Sequence, residues 1–156
     1  MMVKVHSGRL KSDRHRFGIV ISKFNRKVTA KLLEGALKNL RKHGVKEEDI
    51  EVAEVPGAFE IPLTARRLAQ SHAFHAVICL GAVIRGETPH FEYISQAVSQ
   101  GLLHVMLETG IPISFGVLTT DTEKQAMQRA DPKRFDRGGN AAKTALEMVS
   151  LFKELK

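Results

Sequence analysis

Residues 76–93, Ala-Val-Ile-Cys-Leu-Gly-Ala-Val-Ile-Arg-Gly-Glu-Thr-Pro-His-Phe-Glu-Tyr, decide the fold. Ala76 to Ile84 is an unbroken apolar run, as expected for a strand covered on both faces in a parallel sheet. It breaks at once into Arg85, Gly86, Glu87, Thr88 and His90, and helical spacing resumes from Glu92. A buried parallel strand that ends in such residues before a helix is where an α/β protein usually puts its chemistry. Gly86 lets backbone approach a ligand closely. Thr88 offers a hydroxyl, and the helix that follows offers free N–H groups to an anion. His90 carries the side-chain type that moves protons near neutral pH.

Working outward, Phe17–Ser22 reads as the first strand, and a helix runs from Asn25 to about His43 on the stripe Val28, Leu32, Leu33, Ala36, Leu37 and Leu40. Gly44 stops it. Ile50–Val55 is a second strand, broken by Pro56-Gly57, and a helix spans about Glu60 to Ser71 with Pro62 in its first turn. After the central strand come a helix over Glu92–Thr109, a strand over Ile113–Thr119 and a short helix over Thr122–Ala130. A loop over Asp131–Gly139 and a last helix over Asn140–Leu155 complete the chain. Residues 1–16 are expected as an N-terminal arm or edge strand of one domain spanning 1–156. Strands alternating with helices predict a parallel sheet with helices on both faces, a three-layer α/β/α sandwich of flavodoxin-like topology.

Composition bounds the function classes. The 156 residues suit one domain, and 43% hydrophobic content suffices for a core. No apolar run approaches the roughly 20 residues of a membrane helix, and Met1 to Ser12 lacks the apolar region of a signal peptide, so the expectation is a cytoplasmic protein. Cys79 is the one cysteine and falls inside the central strand, which reads as a buried, inert thiol. The net charge of +7 is spread over several helix faces, without Trp and without interleaved aromatic and basic residues. That arrangement speaks against nucleic acid as a partner. The seven histidines have no metal-ligand spacing, and there is no Walker loop, dinucleotide fingerprint or nucleophile elbow. Acid–base chemistry remains, with His90 as its candidate.

In a parallel sheet the loops after all four strands emerge at one end. These are Phe24-Asn25, Gly57 to Glu60, Arg85 to His90, and Thr119 to Asp121. One crevice is therefore expected to collect an aromatic face, a carboxylate, an anion-binding turn and an imidazole. At these residues the chain resembles the 6,7-dimethyl-8-ribityllumazine synthase family of riboflavin biosynthesis. The resemblance runs from about Phe17 to Leu151. Its motifs are Lys23-Phe24-Asn25, Val55 to Pro62, Gly81 to Tyr93 and Phe115 to Thr120, with Arg129 and Ala145 to Met148 following in register.

The resemblance implies condensation of 5-amino-6-(D-ribitylamino)uracil with 3,4-dihydroxy-2-butanone 4-phosphate. The amine attacks the ketone, a Schiff base forms, phosphate leaves and the ring closes, with no metal or organic cofactor. Carried over by position, Phe24 stacks on the pyrimidine, and Ala58, Phe59, Ala82, Val83 and Ile84 surround its edge. Glu60 holds ribityl hydroxyls. Gly86, Glu87, Thr88 and Arg129 hold the phosphate, and His90 shuttles protons. Phe115 and Arg129 are expected to enter from the neighbouring subunit of a pentamer, alone or in an icosahedral assembly of pentamers.

Each role has a plainer reading beside it. Phe24 after a strand is also a common core position, Glu60 also suits a helix N-terminus, and Arg129 also suits a solvated helix end. Glu92 either orients His90 or is an ordinary first-turn acid, and Arg85 pairs with a carboxylate or touches substrate. A non-catalytic flavin- or pterin-binding module and a purely structural shell protein are the competing classes. The first would not need both His90 and Arg129; the second would not need Phe24, Thr88 and His90 together. The chain also departs from the family, which usually shows Gly-Asn-Lys-Gly where this sequence has Phe135-Asp136-Arg137-Gly138. Arg137 keeps the charge without the point-charge geometry of Lys, and Phe135 in place of Gly is expected to restrict the backbone. That loop bears on contacts between pentamers, so the departure touches assembly more than catalysis.

Overall fold

A computed structural model describes residues 2–156. Four parallel strands, β1 (Phe17–Ser22), β2 (Ile50–Val55), β3 (Ala76–Ile84) and β4 (Ile113–Thr120), form one sheet in the order β2-β1-β3-β4. Five α-helices connect and cover them: α1 (Arg26–Lys42), α2 (Ile61–Gln70), α3 (His90–Thr109), α4 (Glu123–Ala130) and α5 (Arg137–Glu154). The chain goes from β1 to the edge strand β2, returns past β1 to β3, and continues outward to β4. The reversal between β1 and β3 is the switch point of a doubly wound sheet, where such folds open a crevice at the strands' carboxyl ends.

The period of two along β1 and β3 divides the core. Phe17, Ile19, Ile21, Ile78 and Leu80 face a cluster with Leu32 and Leu40 of α1, Ala126 of α4 and Leu146 of α5. Val20, Val77 and Cys79 face the other side, with Ala65 of α2 and Val98 and Leu102 of α3. Full burial of each large side chain contributes about 1.5–3 kcal/mol. The two central strands are buried on both faces for this reason, whereas β2 at the edge is mostly exposed. Cys79 is fully buried and burial pushes its thiol pKa up, as an inert core thiol requires.

Two helix starts differ from the sequence reading by more than one residue. α3 begins at His90 rather than Glu92, because Pro89 is accommodated at its N-cap. His90 is thereby the first helical residue instead of a loop residue. α5 begins at Arg137 rather than Asn140. Asp136 caps it from a left-handed backbone (φ 46°), with its carboxylate accepting the Gly139 N–H at 3.0 Å and the Asn39 amide at 3.0 Å. Asp136, not Phe135, is the residue here that takes a positive φ. Asp tolerates that conformation, so the substitution at 135 brings no left-handed strain. Residues 2–16 join no strand of the sheet. Their second half runs along α5 and the strand bases: Arg9 N–H donates to Ser150 Oγ at 3.0 Å, Lys153 pairs with Asp13 at 2.6 Å, and His75 N–H donates to Arg16 O at 2.8 Å.

Candidate active site

The carboxyl ends of β1, β2 and β3 and the start of α3 enclose a cavity of about 540 Å³. Its walls hold Phe24, Ala58, Phe59, Glu60, Ala82, Val83, Ile84, Gly86, Thr88 and His90. Most of the residues expected at the site therefore meet in one place. Phe24 is 70% exposed and Phe59 60% exposed, which removes the reading of Phe24 as core and leaves two apolar faces free for a ligand. Asn25, placed by the sequence in a crevice-forming loop but given no role there, also lines the cavity, as do Phe91 and Ile94, which sequence reasoning did not assign to the site. Asn25 was detectable as an αL-tolerant residue at a strand end. It sits at φ 59°, and its side-chain amide donates to Ala82 O at 2.9 Å, joining the ends of β1 and β3 across the switch point. Lys23 and Phe24 donate backbone N–H groups to Val55 O (2.8 Å) and Pro56 O (3.1 Å), which fixes the Phe24 turn against the Pro56-Gly57 turn.

Glu60 has the local role considered for it. Its Oε2 accepts the Gly57 N–H at 3.0 Å, closing the short 3₁₀ turn Ala58–Glu60 that leads into α2. The carboxylate is exposed and faces the cavity, so it has lone pairs left for a polyol.

The loop from Gly86 to His90 is exposed throughout. Among the described residues, no protein acceptor meets the backbone N–H of Gly86, Glu87, Thr88, His90 or Phe91. These unpaired donors lie at the N-terminus of a 20-residue helix, an arrangement suited to an anion. Gly86 has no left-handed φ, and a Cβ there would meet open space. The backbone at this position is therefore open on the side a Cβ would occupy. Glu87 stands in the loop but does not line the cavity.

Phe115 and Arg129, which are expected to enter from a neighbouring subunit, and Arg137 lie elsewhere on the chain. Phe115, Arg129 and Arg137 line a second cleft of about 440 Å³, between the exposed edge of β4, α4 and α5, together with Thr119, Asn140 and Thr144. It shares no lining residue with the first cavity. The fourth strand-end loop is also absent from the first cavity. Thr120 is buried and its hydroxyl donates to Thr122 O at 2.9 Å, while Asp121 pairs with Arg85. Arg129 is set by α4, whose start is fixed by a reciprocal Thr122–Gln125 cap, and its guanidinium lies 5.6 Å from the Phe135 ring centroid. Arg137 is the first residue of α5. Glu92 bonds to Arg85, and no hydrogen bond joins it to His90.

The sequence model of the 6,7-dimethyl-8-ribityllumazine synthase family matches residues 14–153. The chain belongs to this family. A curated relative from Syntrophus aciditrophicus (strain SB), a 6,7-dimethyl-8-ribityllumazine synthase, is 53% identical over 154 residues, covering 99% of this chain and 100% of its own. Membership of the lumazine synthase family carries the transferase chemistry of riboflavin biosynthesis to this chain: condensation of the ribitylaminouracil with the butanone phosphate. The competing readings, a non-catalytic flavin binder and a structural shell protein, give way to an enzyme. Among the described residues no helix is long and apolar enough to cross a membrane, and no group of three His, Cys, Asp or Glu residues is placed to hold a metal.

Proposed function

We propose that lumazine synthesis takes place in the 540 Å³ cavity, and that the site is completed by Phe115 and Arg129 of a neighbouring copy in a ring. The observation that carries this reading is the separation of the two clefts. One chain presents the aromatic platform, the anion loop and the imidazole on one side, and the second aromatic side chain and the guanidinium on another. A head-to-tail contact brings the two halves together at every interface, and such contacts form a ring where the rotation between neighbours closes. The family's pentamer, alone or within a larger shell, is the proposed assembly, with a cytoplasmic location. Mass measurement in solution distinguishes five chains from a shell.

In this reading Phe24 stacks on the pyrimidinedione, while Ala58, Phe59, Ala82, Val83 and Ile84 flank its edge, because a flat heterocycle gains most from an aromatic face. Glu60 accepts from the ribityl hydroxyls. The free N–H groups of Gly86, Glu87 and Thr88 hold the phosphate, joined by the partner Arg129, whose fork matches phosphate oxygens. Arg137 shares the cleft of Arg129 and adds positive charge there. His90 stands beside the cavity and the anion loop, where it takes and returns protons as the Schiff base forms and phosphate leaves. Both substrates are intrinsically reactive, so holding them together supplies much of the rate.

His90→Ala is expected to lower turnover by about 10²-fold, the low end for a general acid–base group, with phosphate affinity and fold retained. Wild-type turnover in the variant would remove His90 from proton transfer. The two halves of the cavity separate in a second experiment. Phe24→Ala should raise KM for the uracil substrate and leave that for the butanone phosphate within about twofold, because stacking acts on the ring alone. Arg129→Ala should do the reverse, by roughly 10- to 10²-fold, since losing a charge-assisted pair costs about 1.5–3 kcal/mol. Equal losses for both substrates in both variants would show that the halves are assigned wrongly.

A further inference from the structure

The end of β3 carries a side chain to which the reaction described above gives no task. Arg85 follows Ile84 directly, and its backbone N–H donates to Thr120 O at 2.9 Å, extending the ladder between β3 and β4. Its guanidinium reaches in three directions. Nε donates to Asp121 Oδ1 at 2.8 Å in the loop after β4, and Nη1 donates to Glu92 Oε1 in the first turn of α3. The planar group also lies 4.4 Å from the centroid of the Phe91 ring. Phe91 lines the cavity and is the neighbour of His90. The backbone of Arg85 thus fixes the start of the anion loop, and its head group fixes the helical turn in which that loop ends. Gly86, Glu87, Thr88, Pro89 and His90 are the residues spanned.

The loop has little else to hold it. Among the described residues, its own N–H groups are without protein acceptors and no side chain of Glu87, Thr88 or His90 makes a hydrogen bond, and the loop is exposed. A segment left open for a ligand needs its ends fixed if the donors are to keep their places. A fork of donors that also stacks on an aromatic ring suits that task, and a lysine would not, because an ammonium has neither the planar face nor the fixed fork. The Arg85 hydrogen bond holds the Glu92 carboxyl below the usual carboxylate range, which favours the ionic form of this contact.

We propose that Arg85 is a positioning residue for the phosphate loop and for His90, acting through Glu92, Asp121 and Phe91 without touching either substrate. The proposal rests on the assignment of the phosphate to this loop and of proton transfer to His90. Its partners are exposed, and exposed ion pairs contribute little to global stability. The expected signature is therefore a catalytic loss without a matching loss of folding stability.

Arg85→Met, assayed in the intact assembly, should lower kcat/KM for the butanone phosphate by about tenfold or more, since a 1 Å misplacement of reacting groups costs about 10²-fold. KM for the uracil substrate should stay within about twofold, and Tm within about 3 °C. Competitive inhibition by inorganic phosphate should weaken in step. Glu92→Gln/Asp121→Asn, which removes both ionic partners, should lose most of the same activity, and adding Arg85→Met to it should cost little more. Arg85→Lys should recover only part of the loss. Arg66→Met, which removes the exposed Arg66–Glu108 pair between α2 and α3, should match wild type in both assays. Wild-type kcat/KM and phosphate affinity in Arg85→Met would overturn the proposal, as would a further tenfold loss when Arg85→Met is added to the double variant, which would place the guanidinium on a substrate. A His90→Ala enzyme with full turnover would instead remove the assignment beneath it, whatever Arg85→Met did.

Discussion

Rings assembled from equal amounts of His90→Ala and Arg129→Ala chains are expected to regain about a quarter of wild-type activity per site, although each variant alone is severely impaired. The reasoning starts from the two clefts. His90 and Arg129 of one chain line different hollows with no residue in common, so they serve different sites if both serve one reaction. In a head-to-tail ring each site takes its imidazole from one chain and its guanidinium from the next. With random mixing, half the chains donate an intact His90 and half an intact Arg129, and both occur together at about one interface in four. If one chain supplied both groups, every site would carry one lesion and mixing would restore nothing. The measurement is activity after co-expression, with mixed rings verified by mass. Mixed rings no more active than the two parents would exclude the shared site.

The fold was legible where burial is uniform and the site where chemistry interrupts it. β1 and β3 are read from unbroken apolar runs because the middle of a doubly covered sheet allows no polar face. The loops holding Phe24, Glu60 and His90 are read from the polar and aromatic residues that follow those runs. The misreadings have a common origin in long-range contacts. Gly138-Gly139 reads locally as loop, yet both are in the first turn of α5, because Asn39 of α1 helps hold the Asp136 cap in place. Thr119 to Asp121 ends a strand as the other loops do, but Asp121 is drawn to Arg85, 36 residues earlier in the chain. Glu92 pairs with Arg85 and makes no hydrogen bond to His90, and no local pattern distinguishes those two arrangements. Phe115 and Arg129 are not among these misreadings, since their expected entry is from a neighbouring chain; their distance from the first cavity follows from β4 being the far edge of the sheet, a property of strand order rather than of either motif.

Gly138→Ala is expected to cost folding stability, against the direction that helix propensity alone gives. Gly138 is buried in the first turn of α5, and a Cβ there would lie 2.6 Å from the Leu32 carbonyl carbon and closer still to its oxygen. The obstacle is backbone of α1, which cannot rotate aside as a side chain can. The two helices would have to separate, loosening Leu32 and Leu146 in the core between them. Alanine gains up to about 1 kcal/mol over glycine in a helix. Overpacking against a rigid neighbour costs about 3 kcal/mol, the upper end of the usual range, so the net loss is about 2 kcal/mol. For a chain of this size that lowers Tm by roughly 4–8 °C, measured at matched chain concentration because assembly contributes to stability. Gly86→Ala is the internal comparison. A methyl there meets open space without a left-handed φ, so Tm should hold within about 1 °C while phosphate inhibition weakens. A Gly138→Ala protein as stable as wild type, or more so, would show that α1 and α5 are not packed backbone to backbone at this point.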